Sequence, residues 1–256
     1  MAKHFASTVL GNGPGLLLAH GGGGSVAANF GGIIGDLART HTVVGADYPG
    51  SGETPRSPVP LVLDELADEL VGIALGNGLD EFSVLGYSLG TAVAVRAAVR
   101  HPGRVNGLVL TSGFATVGNR LRLATSVWAT LLEGERDLLA RFMALVGVGE
   151  RALDALSPPE LAATLDALAE GLPEGTPEQV ALVTSVDIRA DLAEIRVPTT
   201  VIATTLDTLA PPSLSRELAA GISGAELVEI EAGHNIGFEA GAEWLAAIRK
   251  LLDRVG

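Results

Sequence analysis

Cysteine is absent from all 256 residues, which excludes a disulfide framework, a thiolate nucleophile and any zinc or iron-sulfur site built on Cys. Any nucleophile in this chain is an oxygen or a nitrogen. Lysine is nearly absent too, found only at Lys3 and Lys250, and no basic run offsets a formal net charge of -13. Such a chain repels phosphate backbones and anionic membrane surfaces, so nucleic-acid binding is excluded as a function class. Long apolar runs are missing as well. None approaches the roughly eighteen residues of a membrane span, and Asn12, Gly13 and Pro14 break the opening stretch with turn chemistry where a secretory leader would stay apolar. The expectation is a soluble, cytoplasmic protein acting on a small molecule, without membrane insertion and with its oligomeric state open.

The chain does have apolar bulk. It is 47% hydrophobic and 18% charged, with a mean hydropathy of +0.37, and a chain of this length buries about 70–75% of its unfolded surface. Short apolar runs bounded by turn residues recur at 15–20, 42–48, 81–86, 105–112, 198–205 and 225–231. Runs of that kind suit strands buried on both faces, so the fold class is α/β, a mostly parallel, doubly wound sheet. Helical periodicity falls between them near 26–39, 60–76, 89–101, 211–221 and 239–254, and His4 to Leu10 could add an edge strand. From Gly113 to about Ser185 no strand-like run occurs, only helical patterns around 119–132, 135–146, 150–156, 159–171 and 177–185. The expected division is therefore a core of residues 1–112 and 186–256 and a helical cap of residues 113–185, placed at the carboxyl edge of the sheet where ligands bind.

Gly86-Tyr87-Ser88-Leu89-Gly90 follows one apolar run directly and opens a helical one. A strand that turns sharply into a helix needs small residues at both ends, and the middle residue then projects its hydroxyl from the tip. With 33 glycines and 13 serines the five-residue pattern arises by chance only about 0.2 times, and the strand-turn-helix context makes it informative. The competing reading is a small residue at a tight turn. A serine hydroxyl needs a base. His234, directly after the last strand-like run, sits at the same sheet edge, whereas His4, His41 and His101 read as surface or capping residues. Asp207, in the loop after the run at 198–205, is the natural carboxylate to orient an imidazolium, against the alternative of a helix-capping aspartate; Asp187 and Asp191 lie at the opposite end of that strand and are rejected. His20-Gly21-Gly22-Gly23-Gly24 offers backbone N–H groups free of Cβ obstruction, which suits an oxyanion. Phosphate is the competing ligand, but no Lys-Ser/Thr pair follows, and Asp47 only loosely imitates the acid of a dinucleotide site. A second tight turn, Asp47 to Gly52, is expected to shape the cavity.

In the order Ser88, Asp207, His234, with the glycine turn before them and the helical interval between two strands, the chain from about Phe5 to Leu252 resembles the α/β-hydrolase family. The resemblance implies Ser88 as nucleophile, His234 as general base, Asp207 as its orienter, the N–H groups of Gly22 and Leu89 as oxyanion donors, and neither metal nor cofactor. The glycine run is similar to that of the hormone-sensitive-lipase branch, whose GDSAG and N-terminal cap are not seen here. Epoxide hydrolases and haloalkane dehalogenases of the family carry Asp where this chain has Ser88, which argues against both. The short amino terminus implies loss of the first strand or two of the usual eight. Phe30, Tyr87, Phe114, Ile236 and Phe238 near the turns, and Trp128, Phe142 and Met143 in the cap, are the expected substrate-contacting residues. The expected function is hydrolysis of a small, largely apolar ester, thioester or lactone through an acyl-serine. The alternatives are a lyase using the same three residues and a binding protein without turnover.

Overall fold

The computed structural model describes residues 5–134 and 136–256; His4, where the edge-strand segment is expected to begin, lies outside them. The first half runs β1 (Ser7–Leu10), β2 (Gly15–Ala19), α1 (Val26–Leu37), β3 (Thr42–Ala46), α2 (Leu63–Gly76), β4 (Phe82–Tyr87), α3 (Leu89–Arg100) and β5 (Val105–Thr111). Then follow α4 (Asn119–Leu132), α5 (Arg136–Gly147), α6 (Glu150–Asp154), α7 (Pro158–Glu170), α8 (Thr176–Ser185) and a short α9 (Arg189–Leu192). The chain closes with β6 (Thr199–Thr204), α10 (Pro212–Gly221), β7 (Glu226–Ile230), α11 (Ile236–Glu239) and α12 (Gly241–Val255).

The described strands form one sheet in the order β1-β3-β2-β4-β5-β6-β7. Every pairing is parallel except β1 with β3. Every residue of β4 and β6 is buried, as continuous apolar runs covered on both faces require. The edge strands read differently: β1 is exposed throughout, and β7 alternates. One face is covered by α2, α3 and α10 through Leu66, Leu70, Val93, Ala97 and Leu218. The other is covered by α1 and α12. Trp244, Ile248, Leu251 and Leu252 of α12 recur at helical spacing and all point inward, while charged residues take the outer face. In the segment between β5 and β6, Ser157 at the N-cap and Glu160 at the third helical position form a capping box that, with Pro158 at the first, starts α7. Trp128, Leu139 and Val180 make a small core of that segment's own.

Strand order fixes where a site can form. From β2 the chain crosses by α1 to β3 on one side, and from β4 it crosses by α3 to β5 on the other. The neighbours β2 and β4 thus flank the point where winding reverses, and their carboxyl ends splay into a crevice. Their register, Ala19 opposite Gly86, brings the glycine turn after β2 level with Ser88 after β4.

Candidate active site

Ser88 holds φ +53° and ψ -119°, a conformation that side chains rarely adopt. Its N–H donates to Thr111 O at 2.9 Å. The flanking glycines are a steric necessity: a Cβ on Gly86 would collide with Gly90 O, and one on Gly90 with Ala19 O. The backbone is pinned on three sides, and the hydroxyl stands at the helix start with no capping bond of its own.

Across the sheet edge, Ser88 Oγ lies 3.0 Å from His234 Nε2, and His234 Nδ1 lies 2.6 Å from Asp207 Oδ2. Asp207 is buried, and its oxygens accept from Leu209 N–H at 2.9 Å, Ala210 N–H at 2.8 Å and Thr204 Oγ1 at 3.1 Å. Because Thr204 gives its proton to Asp207, the 3.0 Å contact between Thr204 and Ser112 runs from the Ser112 hydroxyl. With an acceptor-only carboxylate on Nδ1, the neutral imidazole carries its proton there and leaves the Nε2 lone pair toward Ser88. Tyr87 OH, 2.5 Å from His234 O, holds the histidine's backbone.

His20 is fully buried and stacks on Tyr48 at 3.8 Å. Its Nδ1–H donates to Gly21 O at 2.7 Å and its Nε2 accepts Tyr48 N–H at 2.8 Å. Burial pushes its pKa down to about 4, so the ring is a neutral strut between the two tight turns. In the glycine turn, Gly21 N–H goes to Asn29 Oδ1 at 2.8 Å, Gly23 N–H to Gln179 Oε1 at 2.8 Å and Gly24 N–H to Gly21 O at 3.3 Å. Among the described residues, the Gly22 N–H has no acceptor.

A cavity of about 220 Å³ opens over Ser88 and His234, at the small end of ligand sites. Its walls include Tyr87, Phe114, Trp128 and Met143 of the expected set. The other four expected residues sit elsewhere. Phe30 is wholly buried between α1 and the sheet, stacked on Trp244 at 5.9 Å, because the same helix face carries Val26 and Ile33. Ile236 is fully buried in that same core. Phe142 lies one position, and so about 100° of helix, from Met143; it is half-buried against the insert's small core and does not line the cavity. Phe238 is 58% exposed on the rim of a neighbouring depression.

The sequence reading missed the residues that bind the inserted helices to this site. Glu239 accepts Gly149 N–H at 3.0 Å and Gly233 N–H at 2.9 Å, and Asn235 N–H donates to Gly147 O at 2.8 Å, which ties the end of α5 to the His234 loop. Leu121, Thr125, Ala167, Leu168, Leu172 and Val183 add to the wall from the segment between β5 and β6. Glu at the fifth position past His234 is a weak signal, and Gln179, the fourth residue of α8, gives none. Among the described residues, no three His, Asp or Glu side chains cluster to hold a metal, and no helix is long and apolar enough to cross a membrane.

The chain is 30% identical to pyrrolizixenacetamide deacetylase of Xenorhabdus hominickii, over 94% of this chain and 92% of that one. It is 31% identical to the pimeloyl-[acyl-carrier protein] methyl ester esterase of Aeromonas hydrophila, over 78% of this chain and 80% of the other. Among solved structures, the enol-lactonase of Burkholderia xenovorans LB400 superposes with a TM-score of 0.87 at 23% identity, covering 97% of this chain and 96% of that one, a likeness of fold. A family model described as the alpha/beta hydrolase fold matches residues 14–241, and on that match the chain belongs to the alpha/beta hydrolase fold family.

Proposed function

We propose that this hydrolase-fold enzyme cleaves a small, largely apolar carboxylic ester, thioester or lactone through an acyl-Ser88 intermediate. The observation that carries the reading is the unbroken line Asp207 Oδ2, His234 Nδ1, His234 Nε2, Ser88 Oγ, at 2.6 and 3.0 Å. As Ser88 Oγ bonds to the substrate carbonyl carbon, its proton passes to His234 Nε2 and the carbonyl π pair moves onto oxygen. Asp207 stabilises the imidazolium. The oxygen's new charge falls to the N–H groups of Gly22 and of Leu89, the first residue of α3, where the helix dipole adds to it. Collapse expels the leaving alkoxide, which takes the proton from His234, and water repeats the sequence on the acyl-enzyme.

The apolar wall of Phe114, Leu121, Trp128, Met143 and Leu172 and the cavity's 220 Å³ favour a short apolar acyl group. The deacetylase relative, aligned over 94% of this chain, makes a small acetamide the second class to test. Ser88 should label with a fluorophosphonate and wild-type enzyme should turn over short p-nitrophenyl esters, with anilides assayed beside them. Label without ester or anilide turnover points to a non-hydrolytic enzyme on the same residues, and absence of both points to a binding protein.

A further inference from the structure

Gln179, the fourth residue of α8, is fully buried although it is a polar residue of the inserted helices. Its Oε1 accepts Gly23 N–H at 2.8 Å, while its Nε2 donates to Ser51 Oγ at 2.9 Å and to Pro49 O at 3.2 Å. The amide orientation is fixed by its partners, since Gly23 N–H can only donate and Pro49 O can only accept. Ser51 Oγ in turn donates to Gly24 O at 2.6 Å. The N–H of Gly23 and the carbonyl of Gly24 are therefore joined through one amide and one hydroxyl, a closed ring of hydrogen bonds that freezes the middle of the glycine turn. Gly23 sits at φ +70°, and a Cβ there would meet Trp128 Cζ2 at 2.6 Å and Thr176 Cγ2 at 3.2 Å. Two inserted helices thus bear directly on one glycine, and the residue before it carries the turn's free donor.

We propose that Gln179 is a positioning residue for the oxyanion site: by capturing Gly23 N–H it leaves Gly22 N–H as the turn's one unspent donor and aims it at Ser88, so the inserted helices complete the catalytic apparatus as well as walling the cavity. This rests on the acyl-serine reading above. The inference predicts a loss expressed in the transition state, because a misaimed donor binds ground-state substrate almost as well as an aimed one.

The test is Gln179→Met, which keeps the shape and removes both polar ends, beside Ser51→Ala, which cuts the same ring from the core side, and the double variant. For each, kcat, KM, the rate of fluorophosphonate labelling at Ser88 and the melting temperature are measured. Expected for either single variant is a fall in kcat of about 10–100-fold with KM within about threefold, a parallel fall in labelling rate, and a double variant much less impaired than the product of the two. A kcat within about twofold of wild type in the folded variants, whatever the melting temperature does, overturns the inference and leaves the nucleophile assignment standing. So does a rise in KM at constant kcat, which is lost ground-state binding. Wild-type enzyme that neither labels nor turns over any ester or anilide overturns the acyl-serine reading and this inference together. Should Gln179→Met fail to fold, Ser51→Ala decides alone.

Discussion

At Ser88 the strained backbone, the hydroxyl and the imidazole 3.0 Å away form one device, and a device fails as a unit. Ser88→Ala and His234→Ala are each expected to cost about 10³-fold or more in kcat, and the double variant little beyond either single. Steady-state kinetics on a short p-nitrophenyl ester checks this, and Ser88→Ala with most of its rate intact would remove the covalent step. His20 gives a different expectation. Its pKa falls from an ordinary 6.5 to about 4 because the folded chain refuses it a charge. Between those values the unfolded chain binds a proton that the folded chain does not, so His20's contribution is complete above pH 6.5 and is lost as pH falls toward 4. The full window is worth about 3 kcal/mol. Urea midpoints for wild type and His20→Gln at pH 7.5 and 4.5 should show the wild type losing more stability on acidification than the variant.

Among the elements, the His234 loop depends on α11 and on the end of α5. Removing the Glu239 carboxylate strands the N–H groups of Gly233 and Gly149, so Glu239→Ala should cost about 1–3 kcal/mol in a thermal melt and lower kcat more than it raises KM. The helical insert separates two aromatic roles. Trp128 belongs to the insert's small core and also lines the cavity, whereas Phe142 packs against that core without lining the cavity. Trp128→Ala should shift the acyl-chain preference by about 1–3 kcal/mol in kcat/KM, whereas Phe142→Ala should leave the chain-length profile alone and cost about 2 kcal/mol of stability. Measuring both variants against one acyl series and one melt separates wall from filling.

Across the whole molecule the net charge of -13 acts on what approaches the site. Its field disfavours anionic substrates at low ionic strength, and salt screens it over a Debye length of about 10 Å at 0.1 M. An ester with a carboxylate on its acyl chain should therefore show kcat/KM rising with added NaCl, while its neutral counterpart stays level; equal salt responses would mean that the field at the cavity mouth is not anionic. Local charge has another use on the α2–α3 face, where Arg96 and Arg100 bridge Asp64, Asp68 and Asp191. These pairs are partly exposed and contribute little each, so packing of Leu66, Leu70 and Val93 holds that face.

Local signals by themselves determined the element order and its class. Continuous apolar runs give strands covered on both faces, periodic ones give helices, and the described strands β2 to β7 and longer helices lie within a few residues of where those patterns place them. The placement of Ser88 on a tight turn was legible because its strand-turn-helix setting is written in five consecutive residues, and the nearness of His234 and Asp207 to it because each follows a strand at the same edge. The short helices α9 and α11 were not legible, since four residues hold no periodicity. Which apolar residues wall the cavity was undecided too. Phe30, Phe142 and Ile236 are as apolar as Trp128 and Met143, and only helix rotation and the docking of each helix onto the sheet or its neighbours decide which of them reach the cavity. Gln179 and Glu239 show the same limit: their partners stand up to 156 residues away in the chain, and a hydrogen bond formed at that separation exists only once the inserted helices have packed onto the sheet.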